Sequence, residues 1–598
     1  INNWDRIDRV HAVARDADRD GRFEVHVTGE ATLDKDFNDV SERDLRVGEL
    51  MFGLPMAILV LILVFGALAA ASIPIIVALV SIIVALGLSM LFAQFMTISI
   101  FLTNMVFMMG LAVGIDYCLF IVARFREELS LGRERHDAIA RAGATANQAV
   151  LFSGLTVVLA LTGLMLIQHD IFVSLGLGAV LVVLVAIAAS LTLLPAVLAL
   201  MGDRVNSLRL PIVYGLQARS EEQAAGGAWD RIARAAMRTP VPSVLLSGGL
   251  LVAAAVPLIY MSVGSAGVTA LPDSFESKKG FEALARDFPA GLTEPVIVAI
   301  DGAVDDTEVQ GAIQRLRTAL EQDGDFGAVS EDVNPKRDLT RFTVPLAKGD
   351  PNGEAAMSAV NRLRDEYISD AFAGVPAMAL VTGQTAEVVD HVDIGKDGLK
   401  LLIPFILVLS FVLLTLVFRS LVVPVKAAIM NLLSVGAAYG LLVLVFRKGV
   451  GSDFLGFQQV ETIEWWVPAF LFAVLFGLSM DYHVFLLSRI RERFQETDDN
   501  TGSVAYGIRS TGRLITGAAP IMLAVFVGFA AGDLPMFQQM GFGLAVAVVL
   551  GATIVRSVLV PASMRLLGRA NWYWPSWLDW VPTFRVERPP EPDPTGSG

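Results

Sequence analysis

The sequence predicts a polytopic α-helical membrane protein with ferredoxin-like α+β domains outside the membrane. Three observations support this fold class. The 598 residues are 54% hydrophobic, with a mean hydropathy of +0.60, which is far above the composition of an ordinary soluble protein. Apolar runs of about 20 residues, long enough to cross a bilayer, recur along the chain. The two halves of the chain also repeat one another, and a long polar segment separates them.

The charge and cysteine content exclude several classes of function. The formal net charge is −14, but Lys and Arg gather beside the apolar runs, whereas many acidic residues lie in the long polar segment. We therefore interpret the acidity as that of a solvated extramembrane domain and expect no nucleic-acid partner. The single cysteine, Cys118, excludes an intrachain disulfide and a multi-cysteine metal site, and we expect no metal or other cofactor.

Eleven segments are predicted to span the membrane. They are residues 49–71, 73–95, 97–123, 148–167, 171–201, 241–263, 397–418, 421–445, 464–488, 513–531 and 538–565. Arg124 to Asn147, between the third and fourth spans, is predicted to form an amphipathic helix at the membrane surface. If every span is counted, the basic clusters that flank the spans fall on one side, which is therefore predicted to be cytoplasmic.

These segments divide the chain into seven predicted parts. Residues 1–47 are the C-terminal remnant of a first porter domain, with a strand at Phe23–Val27 between two helices. The others are a first transmembrane half (48–201, with its first span missing), a cytoplasmic loop (202–240), a span (241–263), a second porter domain (264–395), a second transmembrane half (396–565) and a cytoplasmic tail (566–598). By symmetry between the halves, we expect the intact protein to have one more N-terminal span and a complete first domain.

The polar segment 264–395 has the element order of a ferredoxin-like domain, β-α-β-β-α-β. Its helices are predicted from apolar residues at helical spacing and its strands from short alternating runs. The elements are a strand at Glu294–Ile300, a helix at Thr307–Gln322, strands at Ala328–Val333 and Thr340–Val344, a helix at Asn352–Tyr367 and a strand at Ala377–Val381.

A repeated motif lies inside the membrane. The stretch Gly114–Leu129 recurs as Leu478–Phe494, which pairs Asp116 with Asp481, Tyr117 with Tyr482, Phe120 with Phe485 and Arg124 with Arg489. The match extends to Ser81 with Ser434, Gly176 with Gly541 and Leu194 with Val560. A carboxylate inside a span costs roughly 2.5–3.5 kcal/mol on insertion scales and is a functional hypothesis by default. Two such residues at equivalent positions of the repeat require a common explanation.

We predict that these residues form a proton relay. Each Asp precedes the shared Arg by eight residues, roughly 12 Å along a helix, so both carboxyl groups lie at similar depth. If the halves pack about a pseudo-two-fold axis, each carboxyl group accepts a hydrogen bond from the tyrosine of the opposite helix. No Lys or Arg lies within a helical turn of either Asp, and no basic residue on another span is evident as a partner. The structural alternative is a pair of protonated acids that only hold helices together.

Other intramembrane residues carry weaker signals. Ser153 on the neighbouring span is a possible support for the relay, although a hydrogen bond within its own helix is the favoured role for Ser153 and for Thr156. His483 is a second possible support because histidine titrates near neutral pH, but a helix-facing or lipid-interface position is favoured. Gly110 and Gly114 indicate close helix packing.

The repeated motif resembles the fourth and tenth spans of MmpL-type transporters of the resistance-nodulation-division (RND) superfamily. The matching residues are Val113–Tyr117 with Phe120–Glu128, and Phe476–Tyr482 with Phe485–Arg489. Phe418–Leu421, Asn431–Gly436, Ala270–Pro272 and Phe288–Gly291 are similar to other signatures of the family. The resemblance covers essentially the whole chain.

The resemblance implies an RND-type duplicated helical bundle of twelve spans with two extracytoplasmic porter domains in the bacterial inner membrane. It implies a secondary transporter and not an enzyme, with proton-driven export of lipids or other hydrophobic molecules across or out of the membrane. The relay residues would be Asp116, Tyr117, Asp481 and Tyr482. The implied partners are membrane lipids, the hydrophobic substrate and accessory cell-envelope proteins.

Two alternatives remain at this point. A relative of the same superfamily that handles sterols or hopanoids, or assists protein translocation, would share the relay but differ in substrate. An aspartyl intramembrane protease would also contain two intramembrane aspartates. However, its Gly-x-Gly-Asp and Pro-Ala-Leu elements are absent, since Val113–Ile115 and Leu478–Met480 precede the two aspartates.

Overall fold

The computed structural model describes residues 4–18, 24–208, 228–287, 294–347 and 351–580. Ten helices in these ranges are long and apolar enough to cross a membrane, and an eleventh is bent by 52°. Helices are the expected form for such segments because hydrocarbon leaves the backbone groups no partner except one another.

The helices are numbered in chain order. They are α1 (Trp4–Asp18), α2 (Glu30–Phe65), α3 (Leu68–Phe92), α4 (Phe101–Ser130), α5 (Arg135–Ala142), α6 (Gln148–Leu166), α7 (Asp170–Met201), α8 (Ala228–Arg238), α9 (Pro240–Tyr260), α10 (Glu276–Asp287), α11 (Thr307–Gln322), α12 (Glu354–Arg362), α13 (Gln384–Phe418), α14 (Val422–Arg447), α15 (Val467–Thr497), the bent α16 (Asn500–Ala530) and α17 (Pro535–Trp572).

Two of the predicted boundaries were wrong. The turn between the first two spans lies at Gly66, whose φ of 67° is left-handed, and not near residue 72. Composition does not mark this turn because the residues after it are as apolar as those before it. The separate surface helix predicted from Arg124 is instead the continuation of α4 to Ser130, followed after a turn by α5. Arg124 lies 2.7 Å from Glu127 and 2.9 Å from Glu128, and ion pairs at these spacings support a helix.

Close backbone contacts join the two halves. A Cβ atom added at Gly528 of α16 would lie 2.6 Å from the Gly53 Cα of α2.

The predicted close packing at Gly110 and Gly114 is confirmed: a Cβ at Gly110 would lie 2.4 Å from Ile82, and one at Gly114 would lie 3.2 Å from Ala78. Small residues therefore set the distance between these helices.

The polar segment forms a four-stranded antiparallel sheet in the order β3-β4-β2-β5. The strands are β2 (Val296–Asp301), β3 (Ser330–Val333), β4 (Leu339–Val344) and β5 (Met378–Thr382). Helix α11 follows β2, and α12 lies between β4 and β5, which is the β-α-β-β-α-β order expected from the sequence. The apolar stripe of α11 is buried, from Val309 to Leu320.

A short parallel pair connects this segment to the membrane helices. Strand β1 (Val263–Gly264) pairs with β6 (Ile463–Glu464), with Val263 opposite Ile463. Because β6 ends shortly before α15 begins, the pair connects the start of the polar segment to that helix.

The prediction of a strand at Phe23–Val27 was wrong for residues 24–27, which the structure describes. Residues 24–28 are extended but pair with no strand of the described structure, and Phe23 lies outside the described residues. The segment packs on α10 instead, since a Cβ at Gly280 would lie 3.2 Å from the His26 Cβ. His11 of α1 also lies 3.0 Å from Glu276 of α10. Among the described residues, this segment therefore lies beside helix α10 and not beside a strand.

Candidate functional site

The two repeated helices, α4 and α15, meet inside the membrane. The rings of Phe120 and Phe485, which occupy equivalent positions in the repeat, lie with their centroids 4.4 Å apart. The ends of the two helices that carry the basic residues also make similar contacts, with carbonyl groups one position apart in the repeat. Arg126 donates to the Phe65 carbonyl and Arg491 to the Val417 carbonyl, both at 2.8 Å. These matching contacts indicate that the halves are related by a pseudo-two-fold axis near the two phenylalanines.

A hydrogen bond joins the two repeated helices, α4 and α15. The Tyr482 hydroxyl on α15 donates to the Asp116 Oδ2 on α4 at 2.7 Å. The Tyr482 side chain is buried, and Asp116 borders a cavity that Tyr117, Phe485 and Tyr482 also line. This is one of the two hydrogen bonds expected from the sequence. It places an acid and a phenol, both able to exchange protons, in direct contact.

The second Asp-Tyr contact lies partly outside the described structure. Asp481 is on α15 immediately before Tyr482, but its side chain is not among the described residues. Tyr117 is buried, and its hydroxyl oxygen lies 3.2 Å from where a Cβ at Gly154 would be. A glycine at residue 154 therefore leaves space for the phenol. The bond between Tyr117 and Asp481 stays a prediction.

The site contains a cation that the sequence reasoning missed. Arg556 on α17 is buried, and its guanidinium carbon lies 4.4 Å from the ring centroid of Tyr482, within the range of a cation–π contact. The expectation that no other span supplies a basic residue was therefore wrong. Its sequence signal was available, because Arg556 stands within the apolar run 538–565, where a charge is costly.

A local irregularity of α17 accompanies Arg556. Gly176 and Gly541 are separated by 365 positions, but Leu194 and Val560 are separated by 366, so the second copy is one residue longer. Within this interval, Gly551–Leu559 forms a π-helix, which accommodates an extra residue and is frequent at functional sites. The first half has the uncharged Ser190 and Leu191 at the position that corresponds to Arg556.

The two possible supports of the relay occupy different environments. The Ser153 hydroxyl is buried without a hydrogen-bond partner among the described residues, so the intrahelical bond that we favoured for it is not present. Thr156 does form this bond, to the Phe152 carbonyl at 2.8 Å. His483 is 2% exposed, which excludes a lipid-interface position, and its Nδ1 lies 2.9 Å from the Ser479 carbonyl oxygen.

A further buried carboxyl group was also missed. Glu49 lies in the π-helical part of α2, Leu45–Gly53, and is 1% exposed. Neither of its carboxyl oxygens has a hydrogen-bond partner within the described part of the chain. Its sequence signal was weak because Glu49 stands at the polar start of the predicted first span. Among the described residues, no three His, Cys, Asp or Glu side chains are placed to hold a metal ion.

The fold defines a multi-pass membrane protein. The chain belongs to the MMPL family, whose family model matches residues 2–243 and 269–591. This membership agrees with the resemblance seen in the repeated motifs.

Three similar proteins illustrate the family. The chain is 36% identical, over 97% of its length, to the mycolic acid-containing lipids exporter MmpL11 of Mycolicibacterium smegmatis, of which it covers 61%. It is 32% identical, over 92% of its length, to the membrane protein YdfJ of Bacillus subtilis, of which it covers 74%. It is 30% identical, over 88% of its length, to the trehalose monomycolate exporter MmpL3 of M. smegmatis, of which it covers 54%. The chain thus spans little more than half the length of the two exporters.

Proposed function

We propose that this protein exports a lipid or another hydrophobic molecule from the cytoplasmic membrane and that proton movement drives the export. The observation that carries the proposal is the hydrogen bond between Tyr482 and Asp116, because it joins the two halves at a proton-exchanging group. Two relatives are named as exporters of mycolic acid-containing lipids and of trehalose monomycolate. Their names support a lipid cargo.

The proposed mechanism couples the charge of Asp116 to the packing of the halves. An ionised Asp116 accepts the Tyr482 hydrogen bond and attracts the nearby guanidinium of Arg556. Protonation removes that attraction and converts the carboxyl group into a possible donor. The contacts that stabilise this packing of α4 against α15 are then weakened. A proton that crosses the membrane supplies about 2.3 kcal/mol per 100 mV. This energy would move the halves and the extracytoplasmic segment attached to them.

Neutral variants of the relay test this proposal. In proteoliposomes that contain the purified full-length protein and a pH gradient, Asp116→Asn should abolish lipid export because an amide takes up no proton. Tyr482→Phe should reduce export at least tenfold because it removes the donor. Both variants should keep the thermal unfolding temperature within a few degrees of the parent. Asp170→Asn, at an exposed position on α7, is the matched control and should export normally. Full gradient-driven export by Asp116→Asn would contradict the relay.

The cargo is tested separately. Mass spectrometry of molecules that co-purify with the full-length protein should find a lipid or another hydrophobic compound, enriched over a membrane protein purified from the same cells. The same preparation would reveal accessory cell-envelope proteins, which the resemblance implies as partners. Enrichment of only water-soluble compounds would contradict the proposed cargo class.

A further inference from the structure

A cavity with several polar groups in its lining lies beside the site in the second half of the protein. Its polar lining residues are Asn431 and Ser434 of α14, Ser479 and Tyr482 of α15, and Arg556 of α17, and its other lining residues are apolar or glycine. Tyr482 also lines the cavity that contains Asp116. The tyrosine that holds the Asp116 carboxyl group therefore forms the wall between two cavities.

The lining of this cavity has an unsatisfied hydrogen-bond donor. Ser479 donates to the Asn431 Oδ1 at 2.7 Å, while the Asn431 Nδ2 is buried and has no hydrogen-bond partner among the described residues. Buried polar groups are almost always hydrogen-bonded. A water molecule can meet this need where a cavity offers it polar partners. The side chains of Asn431, Ser434 and Ser479 offer such partners here.

The first half is closed at the corresponding place. The register of the repeat pairs Ser479 with Gly114, Asn431 with Ala78, and Gly551 with Ala186. These three first-half residues pack on one another: a Cβ added at Gly114 would lie 3.2 Å from Ala78 and 3.9 Å from the Ala186 Cβ.

The second half is open because its residues differ. Gly551 lines the cavity and is buried, yet a Cβ added there would meet nothing within 4 Å. The same backbone arrangement thus encloses a polar space in one half and none in the other. The difference arises from the Ser-Asn pair and from the π-helical segment that carries Arg556.

A third, separate cavity lies nearer to the basic end of α15. It is lined by Leu486 of α15, Ile508 and Thr511 of α16, and Arg556. Leu486 precedes the basic cluster Arg489–Arg493 by one helical turn, so this cavity lies nearer to the predicted cytoplasmic side. Arg556 borders both cavities and therefore stands between them.

We propose that the Asn431–Ser479 cavity holds water and is the path by which protons pass between the relay and the cytoplasm, so that this part of the path runs through the second half and has no counterpart at the Gly114–Ala78 contact of the first half. The proposal rests on the proposed function above. The titratable and charged groups that line the path among the described residues are Tyr482 and Arg556, and Asp116 lies beyond Tyr482. The positive charge of Arg556 disfavours a hydronium ion at rest, so the cavity serves for transit and does not store protons.

Filling the cavity tests the path. Gly551→Leu places a side chain into open space within the cavity and should reduce gradient-driven proton flux in proteoliposomes at least tenfold, while the protein stays folded. Gly87→Leu is the matched control, since Gly87 is exposed on α3 and also has nothing within 4 Å of an added Cβ. It should keep the flux within twofold of the parent. Normal flux in a folded Gly551→Leu protein would overturn the proposal.

Thiol labelling tests hydration independently of transport. In a Cys118→Ala background, Ser479→Cys should react with a membrane-impermeant methanethiosulfonate reagent added from the cytoplasmic side. The native Cys118, which is fully buried in the first half at the position corresponding to His483, should not react. Unreactive Ser479→Cys in folded protein would overturn the hydrated cavity. If the parent protein moves no protons but Ser479→Cys reacts, the proposed function fails while the hydration stands.

Discussion

At the scale of single residues, the site combines groups of opposite character at one depth in the membrane. Tyr482 contacts Asp116 through its hydroxyl group and Arg556 through its ring. A carboxyl group and a guanidinium are each costly in hydrocarbon, and a tyrosine between them offers each a favourable contact. These contacts explain the burial of Tyr482 and Arg556.

Arg556 gives a prediction at this scale. Arg556→Gln should lower lipid export at least tenfold because it removes the charge beside Tyr482. Arg556→Lys should restore only a small part of it, since an ammonium group lacks the planar surface that stacks on a ring. Arg565→Gln, on the same helix but exposed, is the matched control. Export assays in proteoliposomes measure the effect, and equal export by the Gln variant and the parent would show that Arg556 has only a packing role.

At the scale of elements, the short strand pair β1–β6 joins the polar segment 264–395 to α15. Glu464 in β6 is buried, and its carboxylate accepts a hydrogen bond from the Ala266 amide at 3.3 Å. Burial raises the pKa of Glu464 to about 7, although the hydrogen bonds from Ala266 and Ser265 oppose this rise. The side chain therefore titrates near neutral pH at the point where the two parts of the molecule meet.

This raised pKa predicts a pH-dependent stability. The folded protein keeps the proton of Glu464 up to about pH 7, whereas the unfolded chain loses it near its ordinary pKa of ~4.3. Folding is thus progressively disfavoured as the pH rises through this interval. Glu464→Gln, which stays neutral, should unfold several degrees higher than the parent at pH 8 and at about the same temperature at pH 5.

Thermal unfolding in detergent measures the effect of the Glu464 change. Glu461→Gln is the matched control because Glu461 is exposed, three residues earlier on the same segment. It should change the unfolding temperature little at either pH. Parallel loss of stability by the parent and Glu464→Gln between pH 5 and pH 8 would contradict the assignment.

At the scale of the whole molecule, the two halves are similar in backbone but different in chemistry. The matched Phe120–Phe485 contact and the matched arginine–carbonyl contacts follow the duplication. The cavities do not, because only the second half has the Ser479–Asn431 pair and Arg556. A duplicated fold thus carries an asymmetric site.

A cross-link between the halves tests whether they move during transport. In a Cys118→Ser background, Phe120→Cys with Phe485→Cys should be joined by a short bis-methanethiosulfonate cross-linker, because the side chains at these positions contact each other. The cross-linked protein should lose most export, and a reductant should restore it. Either single cysteine variant is the control. Full export by fully cross-linked protein would show that the halves do not separate at this point.

Much of the architecture was predictable from local properties of the sequence. Hydrophobicity over about 20 residues determines a span, so the eleven segments were identified even where their ends were misplaced. The duplication and the cost of an intramembrane carboxyl group identified Asp116 and Tyr482. Their contact followed from the symmetry of the repeat.

Other features depended on the tertiary structure. Arg556 lies in a π-helical segment of α17, and it contacts Tyr482 because the fold brings that segment against α15. The cavity depends on which residues of α14, α15 and α17 share a depth and face one another. Such contacts depend on helix rotation and register, which single-helix periodicity does not specify. The sequence by itself therefore determined the spans, the repeat and the paired Asp-Tyr motif, and the tertiary structure decided which half of the repeat is open.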